Sequence, residues 1–368
     1  MNRMRLKRLA LASVLALEDA VESGIALGAQ VAGRRHPMIV PFIGHGTPTR
    51  ARIGARLVLA RREAESVEPP PTESTSQRSR RATLKVSLAR FLTVEVTRTP
   101  VTIHAPGGDV VVRTDRDGYV DHEVALPGVD PGWLEVPLSG PDGAHAVVQV
   151  LVVDDRATDV GIVSDIDDTI LHTGLLRARD FLRATLLTDI TERTPLPGAA
   201  ALYRALTAPG RPIFYVSTSP WNLHEMLLQF VRLRGFPLGP LLLTDWGPSH
   251  TGLFRIGAQQ HKPPLVRRLL DEHPGLRMVL IGDSGQEDPE IYADIAREHP
   301  ERVAAIYIRR ITGLDLGRGA EIDDLAGEVT AAGVPMLVVD DSAQIADHAA
   351  GLGLLDDTAV NAIRADLP

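Results

Sequence analysis

Apolar residues in the rear part of the chain form short runs that alternate with stretches of helical periodicity. The runs have the length and boundaries of buried strands, and the stretches between most of them repeat apolar residues every three or four positions. This alternation predicts a parallel sheet with helices on both faces, a doubly wound α/β fold. The predicted strands cover 160–164, 212–217, 241–243, 278–281, 303–308 and 336–339, and the predicted helices cover 199–206, 223–234, 265–272 and 289–299.

The front part of the chain has a different pattern, in which short β-type runs are bounded by Pro, Gly or Asp. Such runs predict a small β-sandwich-like domain over 36–156. Asp115, Asp117 and Gly118 between two of the runs predict a hairpin turn rather than a calcium loop, because no Glu follows at the twelfth loop position. The runs cover 53–60, 94–96, 101–104, 110–113, 119–124, 133–136 and 146–153.

Two further segments complete the predicted organisation. Apolar residues at helical spacing predict an amphipathic helix over 1–35, although its basic start leaves a signal peptide as the alternative. A tract rich in Pro, Ser, Thr and Arg predicts a flexible loop over 63–82, and helical spacing returns at 84–92. The α/β domain is then expected over 157–368.

Composition and charge narrow the classes of function. The 368 residues are 44% hydrophobic and 23% charged, which is typical of a globular protein, and they include no cysteine. Thiolate nucleophiles, disulfides and Cys-ligated metals are therefore excluded. Residues 1–98 hold 17 Lys/Arg against 8 Asp/Glu, whereas the remainder has a net charge of −17. This asymmetry favours a basic front part that contacts an anionic surface and an acidic rear part that binds a cation. For the front part, the alternative is that the basic residues form an ordinary solvent-exposed surface without a partner.

No run of 18 apolar residues free of charge, Pro and Gly occurs in the sequence. The expected location is therefore cytoplasmic, with peripheral contact to an anionic membrane. No nucleic-acid partner is expected.

The strongest chemical motif follows the strand at 160–164. Asp165, Asp167 and Asp168 lie within four residues, followed by Thr169. Three adjacent carboxylates repel one another, so this motif indicates a divalent cation or a cluster of donors that keeps them ionised. Two other strands end in paired aspartates without this pattern, at 154–155 and 340–341, and those are interpreted as capping or turn carboxylates.

Complementary groups follow other predicted strands. Ser217 and Thr218 offer hydroxyl donors to a phosphoryl oxygen. Lys262 offers a point charge at the expected start of a helix, and is one of three lysines in the chain. Asp283 directly follows a strand, with Asp288 five residues later. Because the carboxyl ends of parallel strands share one edge of the sheet, these groups are expected to converge there.

The motifs DIDDT, YVSTSPWN, Lys262 and GDSGQEDPEIY, in this order, resemble the haloacid dehalogenase superfamily of phosphotransferases over roughly 160–339. The fuller strings are similar to one branch of it, the actin-patch-type phosphatidate phosphatases, whose catalytic domain is related to that of the lipins. The stretch PFIGHGT in the front domain is similar to what precedes the catalytic domain in bacterial members. The resemblance implies a haloacid dehalogenase-like fold and a Mg²⁺-dependent phosphatase acting on phosphatidic acid.

The resemblance also implies roles for individual residues. It makes Asp165 the nucleophile that forms an aspartyl-phosphate, and Asp167 the general acid and base whose backbone carbonyl reaches the metal. Asp168 would support Asp165 and Asp167 without contacting the substrate itself. The remaining roles are Mg²⁺ binding by Asp165, Asp167, Asp283 and Asp288, charge neutralisation by Ser217 and Lys262, orientation of the nucleophile loop by Thr169, and substrate binding by Thr218, Trp221 and Asn222.

Two alternatives for the function stay open on the sequence. The same mechanism could act on a soluble phosphomonoester or phosphoprotein. A non-catalytic module that senses phosphatidic acid is the second alternative, and the presence of both Asp165 and Asp167 argues against it. The histidines of the α/β domain, including His224, show no paired metal spacing and are interpreted as surface or packing residues.

Overall fold

The computed structural model describes residues 35–61, 94–166, 169, 196–208, 210–244, 258–311 and 313–367. The described residues up to Val152 belong to one compact unit, and those from Val153 onwards belong to a second. The predicted helix at 1–35 lies outside the described residues except for its last one, and the predicted loop at 63–82 and helical segment at 84–92 lie outside them entirely.

The front unit is a nine-stranded, mostly antiparallel sheet. Its hydrogen-bonded order is β1-β3-β2-β9-β8-β5-β6, and β4 and β7 also pair with β3. The pairing of β2 with β9 is parallel, while the other pairs are antiparallel. The strands are β1 (Arg35–Pro41), β2 (Gly44–Thr47), β3 (Arg50–Arg61), β4 (Val94–Glu95), β5 (Pro100–Ala105), β6 (Gly108–Arg113), β7 (Tyr119–Ala125), β8 (Gly132–Ser139) and β9 (His145–Val152).

Alternation of buried and exposed positions builds the core of this unit, as the sequence pattern indicates for half-buried strands. In β8, for example, Val136 and Leu138 are buried while their neighbours face outwards. The twelve-residue strand β3 pairs with β7 through its first half and with β1 and β4 through its second half. The strands predicted as a sandwich-like domain are thus joined by hydrogen bonds into one sheet around one core.

The predicted hairpin at Asp115–Gly118 is wrong in its pairing. The turn itself exists, because the Asp115 carboxylate accepts hydrogen bonds from the amides of Asp117 and Tyr119. The strands on either side nevertheless pair with different partners, β6 with β5 and β7 with β3. The local turn pattern cannot reveal this, since strand pairing is decided by tertiary packing.

The rear unit is built on a six-stranded sheet in which every pair is parallel, in the order β12-β11-β10-β13-β14-β15. Its central strands are buried on both faces, which explains their continuous apolar runs. The strands are β10 (Val160–Ser164), β11 (Ile213–Pro220), β12 (Leu241–Thr244), β13 (Arg277–Asp283), β14 (Val303–Arg309) and β15 (Met336–Val339).

The connections of this sheet run in two directions. From β10 the chain moves outwards to β11 and β12, and it then returns past β10 to β13, β14 and β15. Right-handed crossovers in the two directions place their connecting helices on opposite faces of the sheet, as the doubly wound prediction requires. The described helices are α1 (Ala199–Thr207), α2 (His224–Leu233), α3 (Ala258–Glu272), α4 (Asp288–Glu298), α5 (Leu316–Ala331), α6 (Ser342–Gly351) and α7 (Asp357–Ala365).

The interpretation of the other paired aspartates as turn or capping residues is confirmed for one member of each pair, Asp154 and Asp341. The Asp154 carboxylate accepts hydrogen bonds from the amides of Arg156 and Ala157 in a turn. The Asp341 carboxylate caps α6 by accepting from the amides of Ala343 and Gln344. Among the residues that the structure describes, no helix has the length and apolar character needed to cross a membrane.

Candidate active site

The candidate site lies where the direction of the sheet connections reverses. β10 and β13 are adjacent, and their following connections leave in opposite directions, which opens a crevice at their carboxyl ends. Asp165 directly follows β10 and Asp283 is the last residue of β13. Both residues are buried. The two carboxylates predicted from sequence are therefore brought to the same edge of the sheet.

A third carboxylate and one ammonium complete the centre of this site. Asp288 is the first residue of α4, and oxygens of Asp165, Asp283 and Asp288 lie within 4.8 Å of one another. Lys262 donates one hydrogen bond of 2.6 Å to Oδ1 of Asp165 and another of 2.6 Å to Oδ1 of Asp288. Thr169 Oγ1 lies 3.4 Å from Oδ2 of Asp165.

Lys262 is fully buried between two carboxylates. Burial alone opposes its charge, but Asp165 and Asp288 outweigh this effect, so the pKa of the Lys262 ammonium is raised well above its usual value. The positive charge is therefore a fixed part of the site, and it balances carboxylates that would otherwise repel one another.

Lys262 lies inside a helix, which corrects the predicted position at a helix start. α3 begins at Ala258 and continues through Pro263 and Pro264. Prolines are most common in the first turn of a helix, which is why the sequence pattern suggested a start near residue 265.

The absence of a side chain at Gly282 leaves room for the side chain of Asp288. A Cβ atom on Gly282 would lie 2.6 Å from Oδ2 and 2.7 Å from Cβ of Asp288, closer than real Cβ contacts. The amide of Asp283 also donates to Oδ2 of Asp288 at 3.3 Å. Oδ1 of Asp283 accepts from the amides of Gly285 and Gln286 at 2.6 and 3.1 Å. Residues 282–288 thus form a tight loop that presents both carboxylates.

Gly282→Ala is expected to weaken divalent-cation binding by at least about tenfold, because the added methyl group must displace Asp288 or strain the loop by about 1–3 kcal/mol. Calorimetric titration with Mg²⁺ measures this. Gly327→Ala in α5 is the matched control, since a Cβ there meets nothing within 4 Å. Unchanged Mg²⁺ affinity in a folded Gly282→Ala protein would contradict this account of the loop.

The predicted hydroxyl donors lie on an irregular stretch of β11. Pairing with β12 joins Val216 to Leu242 and then Pro220 to Thr244, so Ser217, Thr218 and Ser219 bulge out of register. Ser217 Oγ accepts a 2.9 Å hydrogen bond from the amide of Ser219. Bulges of this kind redirect side chains next to functional sites. All three residues are buried at the carboxyl end of the strand beside Asp165.

Two of the three residues predicted to contact substrate, Trp221 and Asn222, follow this bulge closely. Trp221 and Asn222 lie in a single turn of 3-10 helix, Trp221–Leu223, which leads into α2. The half-buried Trp221 ring stacks on His224 with 5.8 Å between ring centroids and a 29° angle between planes. His224 is buried, which agrees with its interpretation as a packing residue.

The burial of His224 also makes the stability of the folded protein depend on pH. Burial, and then the positive charge of Arg232, lower the pKa of His224 to about 4 from 6.5. Because the unfolded chain binds a proton near pH 6.5 and the folded protein resists it until about pH 4, the free energy of unfolding should fall by about 3 kcal/mol as pH decreases through this window. Denaturant unfolding at several pH values measures this. His224→Phe should flatten the profile between pH 4 and 6.5, and an equally steep profile in that variant would contradict the assignment.

Two residues that the motifs did not reveal support the backbone of Asp165. Ser164 Oγ donates to the Asp165 carbonyl at 2.7 Å and also lies 2.7 Å from the hydroxyl of Tyr203 in α1. Ser164 directly precedes the aspartate motif and so could have been noticed in the sequence. Tyr203 carries no such signal, because only the packing of α1 against the sheet brings it there. Asp167 and Asp168 lie outside the described residues.

Solved structures give distant matches. A HAD family hydrolase from Deinococcus radiodurans R1, with bound phosphate and sodium, is 19% identical, with a TM-score of 0.32 over 54% of this chain and 98% of its own. A phospho-aspartyl intermediate analogue of phosphoserine phosphatase is 12% identical, with a TM-score of 0.32 over 52% of this chain and 99% of its own.

Sequence comparison gives more specific matches. The phosphatidate phosphatase APP1 of Saccharomyces cerevisiae is 30% identical over 151 residues, which are 41% of this chain and 26% of the yeast protein. An uncharacterized protein of Schizosaccharomyces pombe is 31% identical over 157 residues, 41% of this chain and 25% of its own. The chain thus spans about a quarter of the length of these relatives. Residues 160–310 match the family described as the catalytic domain of phosphatidate phosphatase APP1. Residues 160–310, which include Asp165, Lys262, Asp283 and Asp288, are therefore similar to the catalytic domain of the APP1 phosphatidate phosphatases.

Proposed function

We propose that this protein is a Mg²⁺-dependent phosphatidate phosphatase that hydrolyses phosphatidic acid to diacylglycerol and phosphate through an aspartyl-phosphate on Asp165. The observation that carries the proposal is the buried centre in which Lys262 bridges Asp165 and Asp288 beside Asp283. Its position within the segment that matches the APP1 catalytic domain supports phosphatidic acid as the substrate.

The donor set fits Mg²⁺. Asp165, Asp283 and Asp288 offer closely spaced carboxylate oxygens, the hard ligands that Mg²⁺ prefers in proteins. These three residues would hold the ion, together with the backbone carbonyl of Asp167 as the sequence resemblance suggests. When bound, Mg²⁺ would supply positive charge to the phosphate oxygens and to the carboxylates.

In the first step, a carboxylate oxygen of Asp165 attacks phosphorus and the bond between phosphorus and the ester oxygen breaks. Asp167 gives its proton to the leaving oxygen, which becomes the hydroxyl of diacylglycerol. Lys262 keeps Asp165 ionised and oriented through the 2.6 Å hydrogen bond, while Thr169 lies at its other oxygen. In this proposal the hydroxyls of Ser217 and Thr218, on the irregular stretch of β11, donate to the transferring phosphoryl group.

In the second step, the Asp167 carboxylate takes a proton from water, which attacks phosphorus of the aspartyl-phosphate. The bond to Asp165 breaks, phosphate leaves, and Asp165 is again a free carboxylate. Asp167 therefore acts first as the acid and then as the base. Trp221, exposed in part beside the bulge, and Asn222 are proposed to contact the rest of the substrate.

Peripheral binding to an anionic membrane and a cytoplasmic location belong to the same proposal. The excess of Lys and Arg in residues 1–98 supports the membrane contact, since each basic residue near an anionic bilayer contributes about 1 kcal/mol to the binding free energy. The full chain should cosediment with vesicles containing phosphatidic acid at low salt and dissociate as salt rises. Cosedimentation that does not change with salt concentration, or the absence of cosedimentation at low salt, would contradict the proposed membrane contact.

Phosphate release from phosphatidic acid in detergent micelles, with and without Mg²⁺ and beside a soluble aryl phosphate, tests the substrate. Turnover that needs Mg²⁺ and is much faster on the lipid supports the proposal. Equal or faster turnover of the aryl phosphate would keep the mechanism and reject the lipid substrate. The absence of turnover on both would instead indicate a module that senses phosphatidic acid.

A further inference from the structure

We infer that Tyr203 and Ser164 position the nucleophile through a directed pair of hydrogen bonds, named here the Tyr203–Ser164 relay. The inference rests on the proposed phosphatase function, because it assigns these residues to the presentation of Asp165. Neither residue contacts the phosphate in this account, and both act through the backbone of Asp165 as positioning residues.

The direction of the relay follows from counting hydrogen-bond donors. Ser164 has one hydroxyl proton and donates it to the Asp165 carbonyl at 2.7 Å. The contact of 2.7 Å between Ser164 Oγ and the hydroxyl of Tyr203 must then use the phenolic proton. Tyr203 therefore donates to Ser164, and Ser164 donates to Asp165. Burial raises the pKa of the Tyr203 phenol far above its usual value, so this donor keeps its proton.

The relay completes the restraint of Asp165. The amide of Asp165 donates to the Ile281 carbonyl of β13 at 2.9 Å, and the relay holds its carbonyl. Lys262 holds one carboxylate oxygen at 2.6 Å. The backbone and the side chain of the nucleophile are thus both fixed, and the peptide that leads from Asp165 to Ile166 and Asp167 starts from a defined orientation.

The environment of the relay explains why it is rigid. Ser164 and Tyr203 are both buried, so water cannot replace their hydrogen bonds. The Tyr203 ring packs edge to face on Phe236, with 5.6 Å between ring centroids. Helix α1 thereby fixes the phenolic oxygen against the end of β10. A phenylalanine at position 203 would fill similar space and keep the ring packing, but it would lack this donor.

Tyr203→Phe tests the relay with the smallest change, since it removes one oxygen atom. Turnover of phosphatidic acid should fall about tenfold in kcat with KM unchanged, because substrate contacts stay intact while the nucleophile loses orientation. Ser164→Ala should give a similar loss. The double variant should lose no more than Ser164→Ala alone, because the two hydrogen bonds act in series.

Tyr307→Phe is the matched control for stability. Tyr307 is also a buried tyrosine of the same domain, and its hydroxyl lies 2.9 Å from Nδ1 of His348. Loss of this hydrogen bond should lower the melting temperature about as much as Tyr203→Phe while kcat stays unchanged. If kcat falls equally in both variants, or in neither, the positioning role is overturned.

An NMR measurement tests the Tyr203–Ser164 relay independently of turnover. The chain contains three Asp–Ile peptides, one of which is Asp165–Ile166. Carbonyl-labelled Asp combined with amide-labelled Ile therefore gives three correlation peaks by NMR. The Asp165–Ile166 peak should move in Tyr203→Phe and in Ser164→Ala but not in Tyr307→Phe. An unmoved peak overturns the relay whatever the activity, whereas a wild type without turnover on any phosphomonoester overturns the proposed function alone.

Discussion

Asp165→Asn should reduce turnover of phosphatidic acid by at least about a thousandfold while the protein keeps its fold. The amide has nearly the shape of the carboxylate and can still accept a hydrogen bond from Lys262, so the packing of the buried centre is kept. It is a poor nucleophile, and no aspartyl-phosphate can form. Steady-state phosphate release at saturating Mg²⁺, with melting temperature as the check on folding, measures the effect.

The chain offers a matched control for this substitution. Asp341 also follows a strand of the same sheet as part of an aspartate pair, but it caps α6. Asparagine is as good a helix cap as aspartate, so Asp341→Asn should keep full activity and stability. Phosphate release that persists in folded Asp165→Asn would remove Asp165 from the role of nucleophile.

Lys262→Met should destabilise the metal-free protein by about 3–5 kcal/mol, because it leaves the Asp165 and Asp288 carboxylates buried without the charge that balances them. Saturating Mg²⁺ should restore part of this loss, since the cation would supply positive charge to the same oxygens. Denaturant unfolding with chelator and with Mg²⁺ measures both effects. Turnover should also fall strongly, because the nucleophile loses its orienting donor.

Arg267→Met, on the same helix, provides the comparison for Lys262→Met. Arg267 forms a two-point ion pair with Glu298, but both side chains are well exposed to solvent. Exposed pairs contribute less than about 1 kcal/mol, so this variant should unfold almost as the wild type does. If Lys262→Met costs no more than Arg267→Met, the buried ion pairs are not what holds the site together.

The sequence predicted the sheet of the rear unit well because its central strands are buried on both faces and carry unbroken apolar runs. Helix α5 was missed because it buries few large side chains, with Gly319 and Ala326 among its four buried residues. Helix α6 likewise packs mainly through small residues. The apolar periodicity of such helices is weak, even where tertiary packing makes them stable.

The positions of site residues could be predicted from the sequence only for residues that directly follow a strand. Asp165 and Asp283 could be placed at one edge of the sheet because parallel strands share that edge. The bridging position of Lys262 between Asp165 and Asp288 could not be deduced, since it depends on how α3 and α4 pack. Tyr203 was missed for the same reason, because it lies 39 positions from Ser164 in the chain and meets it only in the fold.

The measurement that tests the central claim most directly is chemical trapping of the covalent intermediate. Wild-type protein turning over phosphatidic acid with Mg²⁺ is quenched and reduced with borohydride, which converts an aspartyl-phosphate to homoserine, and the peptides are analysed by mass spectrometry. We expect homoserine at position 165 of the wild type and no homoserine in Asp165→Asn. Homoserine at another aspartate, or rapid phosphate release with no modified aspartate, would contradict it.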